Sequence, residues 1–223
     1  MKLYLSSYEI GASSDTLLSL IGDNKRAGII TNASDGFKQD RRHGWVTRAI
    51  STLSELGLDA HELDLRQYFG NLNDLEQHLN QLGLIWAIGG NTFILRRAMR
   101  ESGFDQLLPH LLEKADIVYG GFSAGACVLV PSLRGIHLAD EPEKTASGYN
   151  SEIIWDGLNL VDFYFVPHYR SVHRESQMME DVIQYYENHH MKYYALADGE
   201  ALVINGSTFE CVGYPTAPST EFR

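Results

Sequence analysis

The spacing of apolar residues changes period repeatedly along the chain, and each change predicts a new element. Residues 2–7 alternate, and residues 26–31 (Arg-Ala-Gly-Ile-Ile-Thr) form a short apolar run, so both read as strands. Within 41–56 the positions Trp45, Ala49, Leu53 and Leu56 recur at helical spacing, and Gly57 stops the helix. Residues 61–65 predict a third strand. Residues 73–82 predict a helix, with Asn73 as its cap and Leu72, Leu75, Leu79 and Leu82 repeating along it. Residues 84–88 are apolar throughout and run into Gly89-Gly90-Asn91, the pattern of a strand buried on both faces. Residues 92–101 and 104–114 read as helices, and 116–119 as another short strand. This β-α-β-α-β order predicts an α/β fold, a mostly parallel central sheet flanked by helices on both faces.

The second half is less regular. Residues 131–159 read as a long loop-rich excursion, and the sequence leaves open whether it forms a lid. Residues 163–166 predict a strand ending at Pro167-His168, and 175–188 a helix. Residues 193–197, 201–204 and 208–212 predict closing strands, the last two joined by the turn pair Asn205-Gly206. The tail beyond Tyr214 reads as irregular.

The chain has 223 residues, and all of it is read as a single domain. Eighteen Lys and Arg against 29 Asp and Glu give a formal net charge of −11, which argues against nucleic acid and anionic membranes as partners. No run reaches the ~18 apolar residues of a membrane span. The N-terminal apolar stretch is too short for a signal-peptide core, so the expected compartment is the cytoplasm. Cys127 and Cys211 lie in no Cys-x-x-Cys pair and read as two buried thiols in a reducing compartment. With no His-x-x-x-His pattern or Cys/His cluster, neither a metal nor another cofactor is expected.

The stretch that carries chemistry is Gly121-Phe122-Ser123-Ala124-Gly125. It follows a predicted buried strand and precedes small residues that can open a helix. Strand, sharp turn and helix are what a nucleophile elbow needs. The bland alternative is a tight turn without chemistry. If the elbow is real, the N–H of Ala124 can bind an oxyanion, and Gly90, in the neighbouring turn, can supply a second donor. A hydroxyl nucleophile also needs a base. Of the nine histidines, His168 is the best placed, directly after a strand and Pro167; His137 and His173 lie in loops and stay open as candidates. The acid that orients the base is Asp198, Glu200, Asp140 or Asp162, and spacing alone does not choose between them.

Four stretches together resemble the peptidase E (aspartyl dipeptidase) family of serine peptidases, relatives of the cyanophycinases on a class I glutamine-amidotransferase-like fold. They are Gly89-Gly90-Asn91-Thr92-Phe93, Gly121-Phe122-Ser123-Ala124-Gly125-Ala126, Pro167-His168-Tyr169 and Ala195-Leu196-Ala197-Asp198-Gly199. The resemblance implies a catalytic triad of Ser123, His168 and Asp198, with Gly90 and Ala124 as the oxyanion hole. The order Ser–His–acid sets this chain apart from ordinary α/β-hydrolases. The best-known family members carry Glu where this chain has Asp198, so the histidine must sit closer or Glu200 must substitute. The resemblance also implies small peptides as substrates, dipeptides with an N-terminal aspartate first among them. That substrate calls for a cation in the pocket: Arg174 is the first candidate and Arg170 the second, with Asn91 as a further substrate contact. A homodimer is left open. Two rival readings use the same residues differently: an esterase with the same triad, or a non-catalytic relative that binds a peptide or acyl metabolite.

Overall fold

In the computed structural model, which describes residues 1–114 and 117–214, the strands of the first half lie in one seven-stranded sheet. Strand β1 (Lys2–Ser6) is followed by helix α1 (Ser14–Ile21), strand β2 (Arg26–Ile30), helix α2 (Gln39–Glu55) and strand β3 (Asp59–Glu62). Then come α3 (Leu72–Leu79), β4 (Leu84–Ala87), α4 (Thr92–Ser102), α5 (Phe104–Lys114), β5 (Val118–Phe122) and the short α6 (Ala124–Cys127). The last elements are β6 (Tyr164–Val166), α7 (Ser176–Asn188), β7 (Tyr193–Ala195), β8 (Ala201–Asn205) and β9 (Thr208–Val212).

The sheet order is β3-β2-β4-β5-β1-β8-β9. The strands from β3 to β1 are parallel, and the hairpin β8–β9 adds antiparallel to β1. Period-two alternation divides the side chains between two cores. Leu3, Leu5, Ile85 and Tyr119 face a core shared with α3 to α7. Tyr4, Ala27, Trp86 and Val118 face a second core closed by α1 and α2. The mostly parallel sheet with helices on both faces is thus present as the apolar pattern predicts.

Several details differ from the sequence reading. Helix α1 was not expected: its eight residues bury only Leu17, Leu20 and Ile21, too few for a periodic signal. The third strand begins at Asp59 rather than residue 61, because its pairing with β2 is set by the register Arg26 to Asp59. Helix α3 starts at Leu72, with Asn71 rather than Asn73 before it, and the Asn71 amide bonds the Asp74 carboxylate. Strand β7 does not close the main sheet; it pairs in parallel with β6 as a separate two-stranded unit. Cys127 is buried, whereas Cys211 is exposed on the edge strand β9. Of the 116–119 strand, residue 116 lies outside the described residues, as does the tail beyond Tyr214.

The 131–159 excursion is tied down. Arg97 of α4, 1% exposed, donates to the carbonyls of Pro142, Lys144 and Glu152 at 2.8, 3.1 and 2.9 Å. Arg96 donates to the Asp156 carbonyl at 2.9 Å and pairs with Asp105. Two guanidinium forks therefore satisfy carbonyls that a loop alone would leave unpaired.

Candidate active site

Parallel β1, β4 and β5 end side by side, with Ser6 opposite Phe122 and Ala87 opposite Gly121. Ser7, the Gly89-Gly90 turn and Ser123 therefore leave the sheet at one carboxyl edge, where open α/β sheets place their sites. Ser123 adopts φ 50° and ψ −116°, a conformation rarely held by a residue with a side chain. Its N–H donates to the Ser6 carbonyl at 3.3 Å, and its own carbonyl accepts from Ala126 and Cys127 at the start of α6. The turn closes this tightly because Gly125 lies against β4: a Cβ there would sit 2.2 Å from the Ala87 carbonyl oxygen. Gly90, at φ 146°, is equally constrained, since a Cβ would sit 2.4 Å from the Ala33 carbonyl oxygen. Among the described residues, neither the Gly90 N–H nor the Ala124 N–H is used in a turn or cap. Both remain available as donors beside Ser123.

The two-stranded unit delivers the other half. Val166 of β6 is in register with Ala195 of β7, so the segments that follow, carrying His168 and Asp198, emerge together. His168 is 1% exposed and has φ 57°. Its Nδ1 lies 2.7 Å from Asp198 Oδ1. Burial pushes the Asp198 carboxyl up, but the His168 hydrogen bond and charge, together with Ser7, outweigh it and hold the group below its ordinary value. An ionised Asp198 can only accept, so Nδ1 carries the hydrogen, and in the neutral form of the ring Nε2 is the nitrogen with the lone pair.

The other carboxylates are occupied elsewhere. Glu200 accepts from the Ala197 N–H at 2.7 Å, closing the turn that carries Asp198. Asp140 accepts from the Thr92 N–H at 2.8 Å at the start of α4, and burial raises its pKa to about 6. Asp162 pairs with Lys192 at the surface. Of the two loop histidines, His137 packs edge-on against Trp155 and Tyr185, away from Ser123. His173 stacks on His168, with ring centres 3.7 Å apart and planes 12° from parallel. Burial, then the neighbouring His168, lowers the His173 pKa, so this ring stays neutral near pH 7.

Ser123, His168 and Gly90 line one open cavity of about 390 Å³. Among the described residues no hydrogen bond joins Ser123 to His168, whose ring partner is Asp198. Arg174 lines the cavity, but its side chain is 66% exposed and its guanidinium is held by Glu175 at 2.9 Å. Arg170 lies outside the lining, over the Tyr169 ring and 3.6 Å from Glu180. Asn91 lines the cavity, although its side chain is committed to capping: Oδ1 accepts from Ile94 and Nδ2 donates to the Glu141 carbonyl. Two further cations at the rim, Arg41 and Lys144, escaped the sequence reading because they come from α2 and the excursion, far from any motif. Ser7 was missed for the same reason: it reads as the last residue of a strand. His168, His173 and Glu175 bring three ligand atoms within 4.8 Å of one another, which the chemistry of nitrogen and carboxylate donors suits to a transition metal.

A sequence model of peptidase family S51 matches residues 9–212. The chain belongs to peptidase family S51. Curated relatives of this S51 chain include the uncharacterized peptidase Lin0382 of Listeria innocua, 30% identical over 160 residues and covering 72% of each chain. The uncharacterized peptidase PM1590 of Pasteurella multocida is 31% identical over 170 residues, covering 75% of this chain and 77% of its own. The fold matches a crystal structure described as a peptidase E protein from Listeria monocytogenes EGD-e, with TM-score 0.76 and 26% identity over 96% of this chain and 98% of that one. A peptidase from an acI-B1 Actinobacterium shares the fold with TM-score 0.70 at 17% identity, over 96% and 87% of the two chains. The S51 chain is therefore a peptidase by family, with the α/β fold of peptidase E. No helix among its described residues is long and apolar enough to cross a membrane.

Proposed function

We propose that this S51 peptidase is a cytoplasmic serine peptidase that hydrolyses small peptides through an acyl-enzyme. The observation that carries the reading is the 2.7 Å contact between His168 Nδ1 and Asp198, made in the cavity onto which the constrained Ser123 opens. Ser123 Oγ attacks the peptide carbonyl while His168 Nε2 takes its proton. The N–H groups of Gly90 and Ala124 receive the oxyanion, already fixed by the two turns, so they need no reorganisation as charge develops. His168 then gives the proton to the leaving amine. Water, activated by the same imidazole, releases the acyl group and restores Ser123.

A cavity of about 390 Å³ has the volume of a small ligand site, which favours dipeptides over long chains. Arg41, Lys144 and Arg174 at its rim support a substrate that carries a carboxylate, including an N-terminal aspartate. The test is hydrolysis of a panel of short peptides, Asp-leading dipeptides included, and of activated esters, with Ser123→Ala beside the wild type. Cleavage of Asp-leading dipeptides by the wild type alone supports the whole reading. Cleavage of esters but no peptide would sink it.

A further inference from the structure

His168, His173 and Glu175 are brought together by the turn that leads from β6 into α7, and their nearest donor atoms lie within 4.8 Å of one another. We infer that these three side chains form an inhibitory site for a divalent transition metal, Zn²⁺ foremost, in which the metal captures the nitrogen that would serve as catalytic base. The metal site itself depends only on the three side chains; its inhibitory effect rests on the proposed role of His168.

Three features of the cluster favour a metal. First, His168 is already dressed as a ligand: its Nδ1 is engaged by Asp198 at 2.7 Å, which leaves Nε2 as the nitrogen to bind a metal. A carboxylate behind the imidazole fixes the ring and raises its basicity, the usual second layer of a zinc histidine. Second, Glu175 is only 19% exposed on its side chain, and Arg174 engages one of its two oxygens, Oε1. Oε2 is left for a metal. Third, the donor set of two imidazoles and one carboxylate is a tridentate zinc set that keeps a fourth position open.

Binding requires a rearrangement of the two rings. The rings of His168 and His173 are nearly parallel, so they must splay before their lone pairs converge. The donors must draw in from their present spread to the ~3.4 Å edge of a tetrahedral shell with ~2.1 Å bonds. His173 Nδ1 now accepts a long, 3.2 Å hydrogen bond from the Glu175 N–H, and a metal–nitrogen bond would replace it. With Zn²⁺ on Nε2 the imidazole can no longer take the Ser123 proton, so metal and turnover exclude each other.

The experiment is calorimetric titration of Zn²⁺ onto the whole chain without substrate, with the visible spectrum of Co²⁺ as a report on coordination. Wild type and Ser123→Ala should bind one ion, and Co²⁺ should give the intense bands of a four-coordinate site. His173→Ala and the conservative Glu175→Gln, both checked for folding, should each weaken binding by at least about tenfold. In the peptidase assay, Zn²⁺ should inhibit the wild type, a chelator should restore it, and the two variants should resist inhibition by the same factor. No saturable Zn²⁺ binding, or binding unchanged in both variants, overturns the site. A wild type that binds Zn²⁺, with binding lost in those variants, but cleaves no peptide would leave the site standing and remove the peptidase mechanism instead.

Discussion

Ser7 Oγ receives the backbone N–H of His168 at 2.8 Å, across 161 residues of sequence. The same hydroxyl lies 2.9 Å from Asp198 Oδ1 and 3.1 Å from the Leu196 carbonyl. One oxygen at the end of β1 thus joins the main sheet to both segments that follow the two-stranded unit. Replacing Ser7 by Ala leaves the buried His168 N–H without an acceptor. The variant should lose about 1–3 kcal/mol of stability, read as a lower denaturant midpoint. It should also lower kcat more than it raises KM, because His168 and Asp198 lose their common anchor. A variant with wild-type stability would show that this hydroxyl anchors nothing.

Ser123 carries two separable properties, the hydroxyl proposed as nucleophile and a constrained backbone. Ser123→Ala removes only the first and should lower kcat by at least about 10³-fold. Ser123→Gly removes both and should be equally inactive, yet more stable than Ser123→Ala by about 1 kcal/mol, since glycine tolerates φ 50°. Thermal melts of the two variants check this; equal melting temperatures would show that the turn stores no strain.

The two acids in the Asp198 turn make opposite predictions. Asp198→Asn keeps the shape but cannot hold the Nδ1–H tautomer, and should reduce kcat by about 10²–10⁴-fold. Glu200→Gln keeps an oxygen for the Ala197 N–H and should stay within about tenfold of the wild type. Steady-state kinetics of the pair decide between the acids, and the reverse order would transfer the orienting role to Glu200.

Asp140 gives the protein a pH signature. Its folded pKa is about 6, raised from the ordinary 3.8 by burial, so the folded state holds a proton that the unfolded state has released. Stability linked to this group is present below about pH 4 and is lost as pH rises to about 6. Asp140→Asn cannot ionise and still accepts from Thr92. Its stability relative to the wild type should therefore rise between pH 4 and pH 7, measured by urea unfolding. A difference that does not change with pH would mean that Asp140 titrates normally.

The sequence was most informative where function and local geometry coincide. Gly121, Ser123 and Gly125 are readable because a tight elbow restricts which residues can stand there. His168 and Asp198 are readable because each follows a strand end within a recognisable stretch. What joins them was not readable. The pairing of β6 with β7 is a contact between two three-residue strands, too short to show period-two alternation. Ser7, Arg41 and Lys144 arrive at the cavity through tertiary packing and carry no local signature. For the same reason the cation roles given to Arg174 and Arg170 by their nearness to His168 fared differently: one lines the cavity beside Glu175, and the other turns to Tyr169 and Glu180.

The grip of Arg97 on the carbonyls of Pro142, Lys144 and Glu152 has a kinetic meaning. To swing that segment outward would strip three carbonyls and a buried guanidinium of their partners in a single event. The shoreline of the Ser123 bay is therefore fixed where Lys144 and, just before the pinned segment, Glu141 stand. On that side no door has to open before a substrate enters.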